Sequence, residues 1–224
     1  MKTLFSPHPI PTLPLEGETS RFPVRRIFCV GRNYAEHAAE MGVAVDREAP
    51  FFFTKSAHAL TPPGDVPYPP ATADLHHEVE LVLALGIPLF RATEAEAQAA
   101  ILARAVGIDM TRRDLQAEAK AKRRPWDTAK DFDASAIIAP LSRNPAGPGI
   151  CLSVNGTLRQ DGHLSGMIFG EAALLAHLST LYRLEAGDLV MTGTPAGVGP
   201  LRPGDRVEAE VDGLPPLTMT VTEG

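Results

Sequence analysis

The 224-residue chain, 23.9 kDa, carries 27 Asp and Glu against 21 Lys and Arg, for a formal charge of −6, and is 44% apolar and 21% charged. This composition excludes an intrinsically disordered chain and supports a substantial core in one large domain or two small ones. A pI near 5.6 and no basic cluster longer than residues 120–124 exclude a nucleic-acid surface, which needs a basic stripe, and leave small molecules as the expected partners.

With 19 Gly and 21 Pro, above an ordinary combined usage of about 12%, the chain reads as many turns and short strands. Residues 1–23 are Pro-rich and without period, and read as an arm lying over a single catalytic domain of residues 24–224. The arm breaks into proline before a signal-peptide core can form. The longest apolar run, 81–90, is about half of the roughly 20 residues a membrane helix needs. A soluble, cytoplasmic protein without a membrane partner is expected. Cys29 and Cys151 lie on separate strand-like segments with no CxxC partner, and are expected to be buried reduced thiols.

In chain order, residues 25–30 read as a buried strand ending at Gly31, 34–41 as a short helix closed by Gly42, and 51–55 as a strand. Along 78–85, Val79, Leu81, Leu83 and Leu85 share one side while Glu78, Glu80, Val82 and Ala84 share the other. The Ala-rich stretch 94–105 reads as a helix and 106–109 as a brief strand. Thr111 with Asp114 reads as a capping box opening a helix to about residue 122. Residues 128–132 are strand-like. Residues 150–160 with Asn155-Gly156 at their centre read as a hairpin with a type I′ turn, and 171–182 as a helix. Leu184-Glu-Ala-Gly-Asp188 and Leu201-Arg-Pro-Gly-Asp205 are two similar turns, each leading into a strand. Strands outnumber helices without regular interleaving, so the expected class is a β-dominated α+β fold.

Glu78 and Glu80, two apart on a very apolar strand, repel one another if buried, and need a cation, a shared proton or solvent. A solvent-washed strand face is the bland alternative, and the commoner one for a strand taken alone. Asp109, ending a second apolar strand, could complete three hard oxygen ligands suited to Mg²⁺ or Mn²⁺; its ordinary role would be a turn residue. His76 and His77 would stand behind such a site rather than in it. His37 and Glu40, three apart on one helix face, permit a carboxylate-oriented base, although a solvated surface pair is commoner. Arg113, Gln116 and Lys120 form one helical stripe and Lys130 follows, suiting an anionic, oxygen-rich substrate. The Gly-rich loop from Thr192 to Gly199 lacks P-loop and dinucleotide patterns, and is expected to hold a carboxylate rather than a nucleotide.

Val30-Gly-Arg-Asn-Tyr34, His77-Glu-Val-Glu-Leu81, Gly107-Ile-Asp-Met-Thr111 through Gln116, Ala129-Lys130 and Thr192-Gly-Thr-Pro195, in this order, resemble the fumarylacetoacetate hydrolase superfamily over residues 24–224. Within it the chain is most similar to bacterial fumarylpyruvate hydrolases, through Arg21 to Arg26, Phe51-Phe-Phe-Thr-Lys55 and Thr111 to Lys120, and then to acylpyruvases. The resemblance implies a mixed β-roll and a homodimer, with Mg²⁺ or Mn²⁺ on Glu78, Glu80 and Asp109. It further implies a water-activating His37–Glu40 dyad, Arg113, Gln116 and Lys130 facing the substrate, and Thr194 contacting its carboxylate.

The expected reaction is hydrolysis of an acylpyruvate, 3-fumarylpyruvate to fumarate and pyruvate, in aromatic catabolism of the gentisate type. Decarboxylation or tautomerisation of a β-oxo acid such as oxaloacetate would use the same ion without an attacking water. A non-enzymatic β-roll with a structural acidic face would leave dyad, triad and Gly-Thr loop apart in space.

Overall fold

The structure, a computed structural model, describes residues 3–6, 8–40, 42 and 49–224. In chain order it contains β1 (Thr12–Pro14), β2 (Arg21–Pro23), β3 (Arg26–Val30), α1 (Ala35–Glu40), β4 (Phe52–Lys55), β5 (Leu60–Thr61), β6 (Gly64–Pro67), β7 (Leu75–His77) and β8 (Val79–Leu85). Then follow α2 (Glu94–Ala100), β9 (Ile101–Asp109), β10 (Thr111–Arg112), α3 (Arg113–Ala121), α4 (Asp127–Lys130), β11 (Ala136–Ile138), β12 (Gly149–Val154) and β13 (Thr157–His163). The chain closes with α5 (Glu171–Leu181), β14 (Asp188–Met191), β15 (Gly199–Leu201), β16 (Arg206–Val211) and β17 (Leu217–Thr222). No helix among the described residues is long and apolar enough to cross a membrane.

A seven-stranded mixed sheet, β4-β3-β14-β8-β9-β11-β5, is the backbone of the fold, and a five-stranded sheet, β13-β12-β16-β17-β6, packs against it. Central β8 is buried on both faces. Leu81, Leu83 and Leu85 join Leu152, Val207, Leu174 and Leu178 in the core shared with the second sheet and α5. Val82 and Ala84 face a second core, where the β1–β2 hairpin brings Leu13, Leu15 and Phe22 onto Met191 and Ile138. Each such Leu contributes roughly 1.5–3 kcal/mol on burial. The side of β8 that carries Glu80 is therefore covered, and the solvent-washed reading of Glu78 and Glu80 is overturned: they are 5% and 1% exposed.

Four local expectations are corrected. The helix from Glu94 stops at Ala100, because 101–109 pairs along β8 and pairing in the sheet overrides the helix preference of its alanines. The capping box belongs to Thr93 and Glu96; Thr111 lies in β10, and Asp114 instead accepts from Thr72 and the Ala73 amide. Lys130 ends a single helical turn, not a strand. Cys29 is buried but Cys151 is only half-buried, and both are free thiols.

The 25–30 strand, the 51–55 strand and the helix from Glu171 appear within a residue or so of expectation. The 34–41 helix appears as α1, with Met41 outside the described residues and Gly42 at φ +66°. At the hairpin tip, Asn155 and Gly156 take φ +52° and +74°, as a type I′ turn requires. The two similar turns share one device, in which the closing Asp accepts an amide three residues back: Glu185 to Asp188 at 2.9 Å and Arg202 to Asp205 at 2.7 Å.

Candidate active site

The site lies where two strand pairs cross. β8 and β9 run antiparallel in the large sheet, and the same two chain segments continue as β7 and β10, paired again in a small three-stranded sheet with β15. Glu78 is the residue between β7 and β8; its carbonyl accepts the Asp109 amide at 2.9 Å. Glu80 sits opposite Gly107 on β9. The crossing thus brings Glu78, Glu80 and Asp109 together, each offering an oxygen within 4.8 Å of the others.

Cations from three further elements meet these acids. Lys130 Nζ donates to Glu78 Oε2, Asp109 Oδ2 and Thr111 Oγ1, each at 2.7 Å. Lys55, buried at the end of β4, lies 2.8 Å from Asp109 Oδ1. It aims its hydrogen bonds at the Met110 and Lys130 carbonyls, so the contact is one of charge and Oδ1 keeps no aligned donor. Arg113 reaches Glu78 Oε1 at 2.5 Å, Gln116 Oε1 at 2.7 Å and His76 Nδ1 at 3.3 Å.

The three acids differ in charge state. Burial pushes the Glu78 carboxyl up, but Lys130, Arg113 and His37 outweigh it and hold it well below the usual range. Burial raises Glu80 well above that range, and the charges of Asp109 and Glu78 push it the same way, opposed by Lys130 and the Gly193 amide. Lys130 is penalised by burial yet raised by Asp109 and Glu78. A divalent cation fits this donor set: three hard carboxylates, one with an oxygen lacking a donor and one that only extra positive charge would keep ionised.

His37, 5% exposed, is not the solvated surface histidine of the bland alternative. Its Nδ1 lies 3.1 Å from Glu40 Oε2, and the Gly197 amide donates to the Glu40 carboxylate at 3.1 Å and 3.3 Å. With Nδ1–H given to Glu40, Nε2 carries the lone pair. Thr194 is buried, and its Oγ1 accepts from Gln160 Nε2 at 2.8 Å. His76 and His77 stand behind the acids: His76 between Asp74 and Arg113, His77 donating to Gln160 Oε1. Burial lowers both histidines' affinity for a proton.

Several residues that hold the site escaped the sequence reading. Asn33, fully buried, donates to the Thr192 and Phe169 carbonyls and accepts the Phe169 amide, tying the Gly-Arg-Asn-Tyr segment to the Gly-rich loop. Gln160 satisfies all its polar atoms by bridging Val79, His77, Thr194 and Pro195. Asn33 stands in the Val30-to-Tyr34 motif, but the partners of both residues are distant in sequence, so no local pattern announces what they hold. Lys55 did leave a signal, as a lysine two residues after a run of three phenylalanines.

The family model described as fumarylacetoacetate (FAA) hydrolase C-terminal matches residues 26–222. The chain belongs to this family. It is 44% identical over 188 residues to a fumarylpyruvate hydrolase of a Ralstonia species, covering 81% of this chain and 98% of the relative. It is 40% identical to an oxaloacetate tautomerase of Escherichia coli, covering 88% and 93%. A crystal structure of fumarylpyruvate hydrolase from Pseudomonas aeruginosa, in complex with Mn²⁺ and pyruvate, superposes with a TM-score of 0.96 at 40% identity over the whole of both chains. The protein is thus a family enzyme with the β-dominated α+β fold of the fumarylacetoacetate hydrolase C-terminal type, and its buried Glu78, Glu80 and Asp109 form an acidic cluster able to hold a metal.

Proposed function

We propose that the protein hydrolyses the carbon–carbon bond of an acylpyruvate, with 3-fumarylpyruvate as substrate and fumarate and pyruvate as products. The observation that carries this reading is the His37–Glu40 pair, in which the buried imidazole is oriented by a carboxylate that the Gly197 amide clamps, on the same Gly-rich loop whose Gly193 amide holds Glu80 of the triad. Cleavage needs an activated water; tautomerisation does not.

In this reading His37 Nε2 takes a proton from water as the water oxygen bonds to the acyl carbonyl carbon, help worth about 10² to 10⁴ in rate. The bond from that carbon to the methylene then breaks, its electron pair leaves with the pyruvate enolate, and the proton is returned to the methylene carbon. One divalent ion, Mg²⁺ or Mn²⁺, on Glu78, Glu80 and Asp109 would draw electrons from the 2-oxo acid end. Lys130 adds fixed positive charge there. Thr194, whose oxygen already accepts from Gln160, keeps its own proton for the substrate carboxylate. Gln116, whose Oε1 is taken by Arg113, keeps its amide N–H groups for a substrate oxygen. Arg113 holds Glu78 and Gln116 in place and adds charge on the substrate side. A homodimer completes the reading.

The second reading, oxaloacetate tautomerisation, draws on the E. coli relative. Steady-state assays of Mn²⁺-loaded protein on fumarylpyruvate, acetylpyruvate and oxaloacetate separate the two. Cleavage of fumarylpyruvate with kcat/KM at least tenfold above oxaloacetate enolisation supports the hydrolase; the reverse order with no cleavage supports the tautomerase.

A further inference from the structure

Beyond the triad lies a second cluster, of opposite charge. Arg32 holds its guanidinium 5.4 Å from the centre of the Phe51 ring, and Lys120 its ammonium 5.1 Å from that of Trp126. The two rings meet edge-on with centroids 5.4 Å apart. Phe51 is seated by Gly31, where a Cβ would fall 1.9 Å from the ring. Trp126 also packs on Phe53, and Phe53 lies 5.0 Å from the Lys130 ammonium. The aromatic wall therefore runs from the lysine that grips Glu78 and Asp109 out to Arg32 and Lys120.

Among the described residues, neither Arg32 nor Lys120 pairs with a carboxylate. Lys120 is half-buried, and burial, with the charges of Arg113 and Arg32 adding to it, lowers its pKa to about 8. Two partly buried cations on adjoining aromatic faces raise the local positive potential and offer an anion a charge-complementary seat. Arg113 does not serve this end, since its donors go to Glu78, Gln116 and His76.

We propose that Arg32 and Lys120, carried on the rings of Phe51 and Trp126, form the seat for a second carboxylate, at the far end of the acyl group of a dicarboxylic acylpyruvate. This rests on the acylpyruvate reading of the site and sharpens it, because the seat favours a fumaryl-type group over a neutral short acyl group. The ion and Thr194 receive one end of the substrate, and the cationic pair receives the other.

Trp126 is the only tryptophan, so its emission reports on the seat without turnover. Fumarate and oxalate are titrated into Mn²⁺-loaded parent, Arg32→Gln, Lys120→Gln and Lys120→Arg proteins by fluorescence and calorimetry, and kcat/KM is measured on fumarylpyruvate and acetylpyruvate. The expected result is a rise of tenfold or more in the fumarate Kd relative to that of oxalate in both Gln variants. The fumarylpyruvate-to-acetylpyruvate selectivity should fall by a similar factor, and Lys120→Arg should recover most of both. Unchanged ratios in both Gln variants, or equal weakening of fumarate and oxalate, overturn the seat. If the parent cleaves neither acylpyruvate while fumarate binding still depends on Arg32 and Lys120, the hydrolase reading fails and the seat stands. If it cleaves both with ratios unmoved by the variants, the seat fails and the hydrolase reading stands.

Discussion

The Gly193 amide donates to Glu80 Oε2 at 2.7 Å, joining the Gly-rich loop to the acid most strained by its surroundings. Gly193 sits at φ +95°, and a Cβ there would fall 2.7 Å from that of Asn33. Gly193→Ala therefore combines left-handed strain of about 1–3 kcal/mol with a clash against the residue that anchors the loop. Tm should fall by about 2–4 °C per kcal/mol for a protein of this size, and Mn²⁺ affinity should fall with it. Thermal unfolding and calorimetry read both. An unchanged Tm with unchanged Mn²⁺ binding would contradict the role given to the loop.

Glu80→Gln removes one charged ligand from three while keeping the amide acceptor for Gly193. Loss of even an outer partner of a metal ligand costs roughly 10–100-fold in affinity, so a rise of 100-fold or more in the Mn²⁺ Kd is expected. The fold should survive, since Gln has the size of Glu and, like the neutral carboxyl that burial favours at this position, brings no charge into the core. Calorimetry alongside circular dichroism checks this; parent-like Mn²⁺ binding would remove Glu80 from the ligand set.

The alternation along β8 and the placing of Asp109 at a strand end were legible in the sequence, because two-residue periodicity and strand-to-helix junctions are local. What put Glu78 and Asp109 side by side was the passage of both chain segments from one sheet to another, and nothing within a few residues encodes that. Asn33 and Gln160 were illegible for the same reason. The alanines of 103–105 misled in the opposite sense: a local preference for helix lost to seven registered pairs between β8 and β9. The His37–Glu40 spacing pointed to a dyad, but the burial of His37 and the Gly197 clamp on Glu40 appear only in the folded chain.

His37→Ala should bind Mn²⁺ and oxalate as the parent does and lose about 10² to 10⁴ in kcat for acylpyruvate cleavage, while Glu40→Gln should lose less, since it leaves the imidazole in place. Stopped-flow loss of the enol absorbance measures both. Cleavage by His37→Ala within threefold of the parent would rule out His37 as the base.

Lys120 gives the anion seat a pH dependence. The groups bearing on it are Arg113, Arg32 and Lys130, which lower its pKa, and Glu78, which opposes them; Trp126 faces it. The protonated form attracts a carboxylate, so fumarate affinity should decline as pH rises through about 8, and the decline should vanish in Lys120→Gln. Stability runs the other way. Because the folded pKa lies below the unfolded value, the unfolded chain binds more protons from about 8 to the ordinary lysine value of 10.5, and the Lys120 contribution to stability rises across that window. Fluorescence titrations at pH 7 to 9.5 test the binding; a pH-independent fumarate Kd in the parent would contradict it.

In the proposed hydrolysis, water activated at His37 attacks the acyl carbon of a substrate held at Glu78, Glu80 and Asp109. Mass spectrometry of the products formed by Mn²⁺-loaded protein from fumarylpyruvate in ¹⁸O-enriched water tests it most directly. One ¹⁸O atom in the newly formed carboxylate of fumarate, with pyruvate released in equal amount, is the expected result. Enol–keto equilibration of the substrate with no fumarate formed would contradict it.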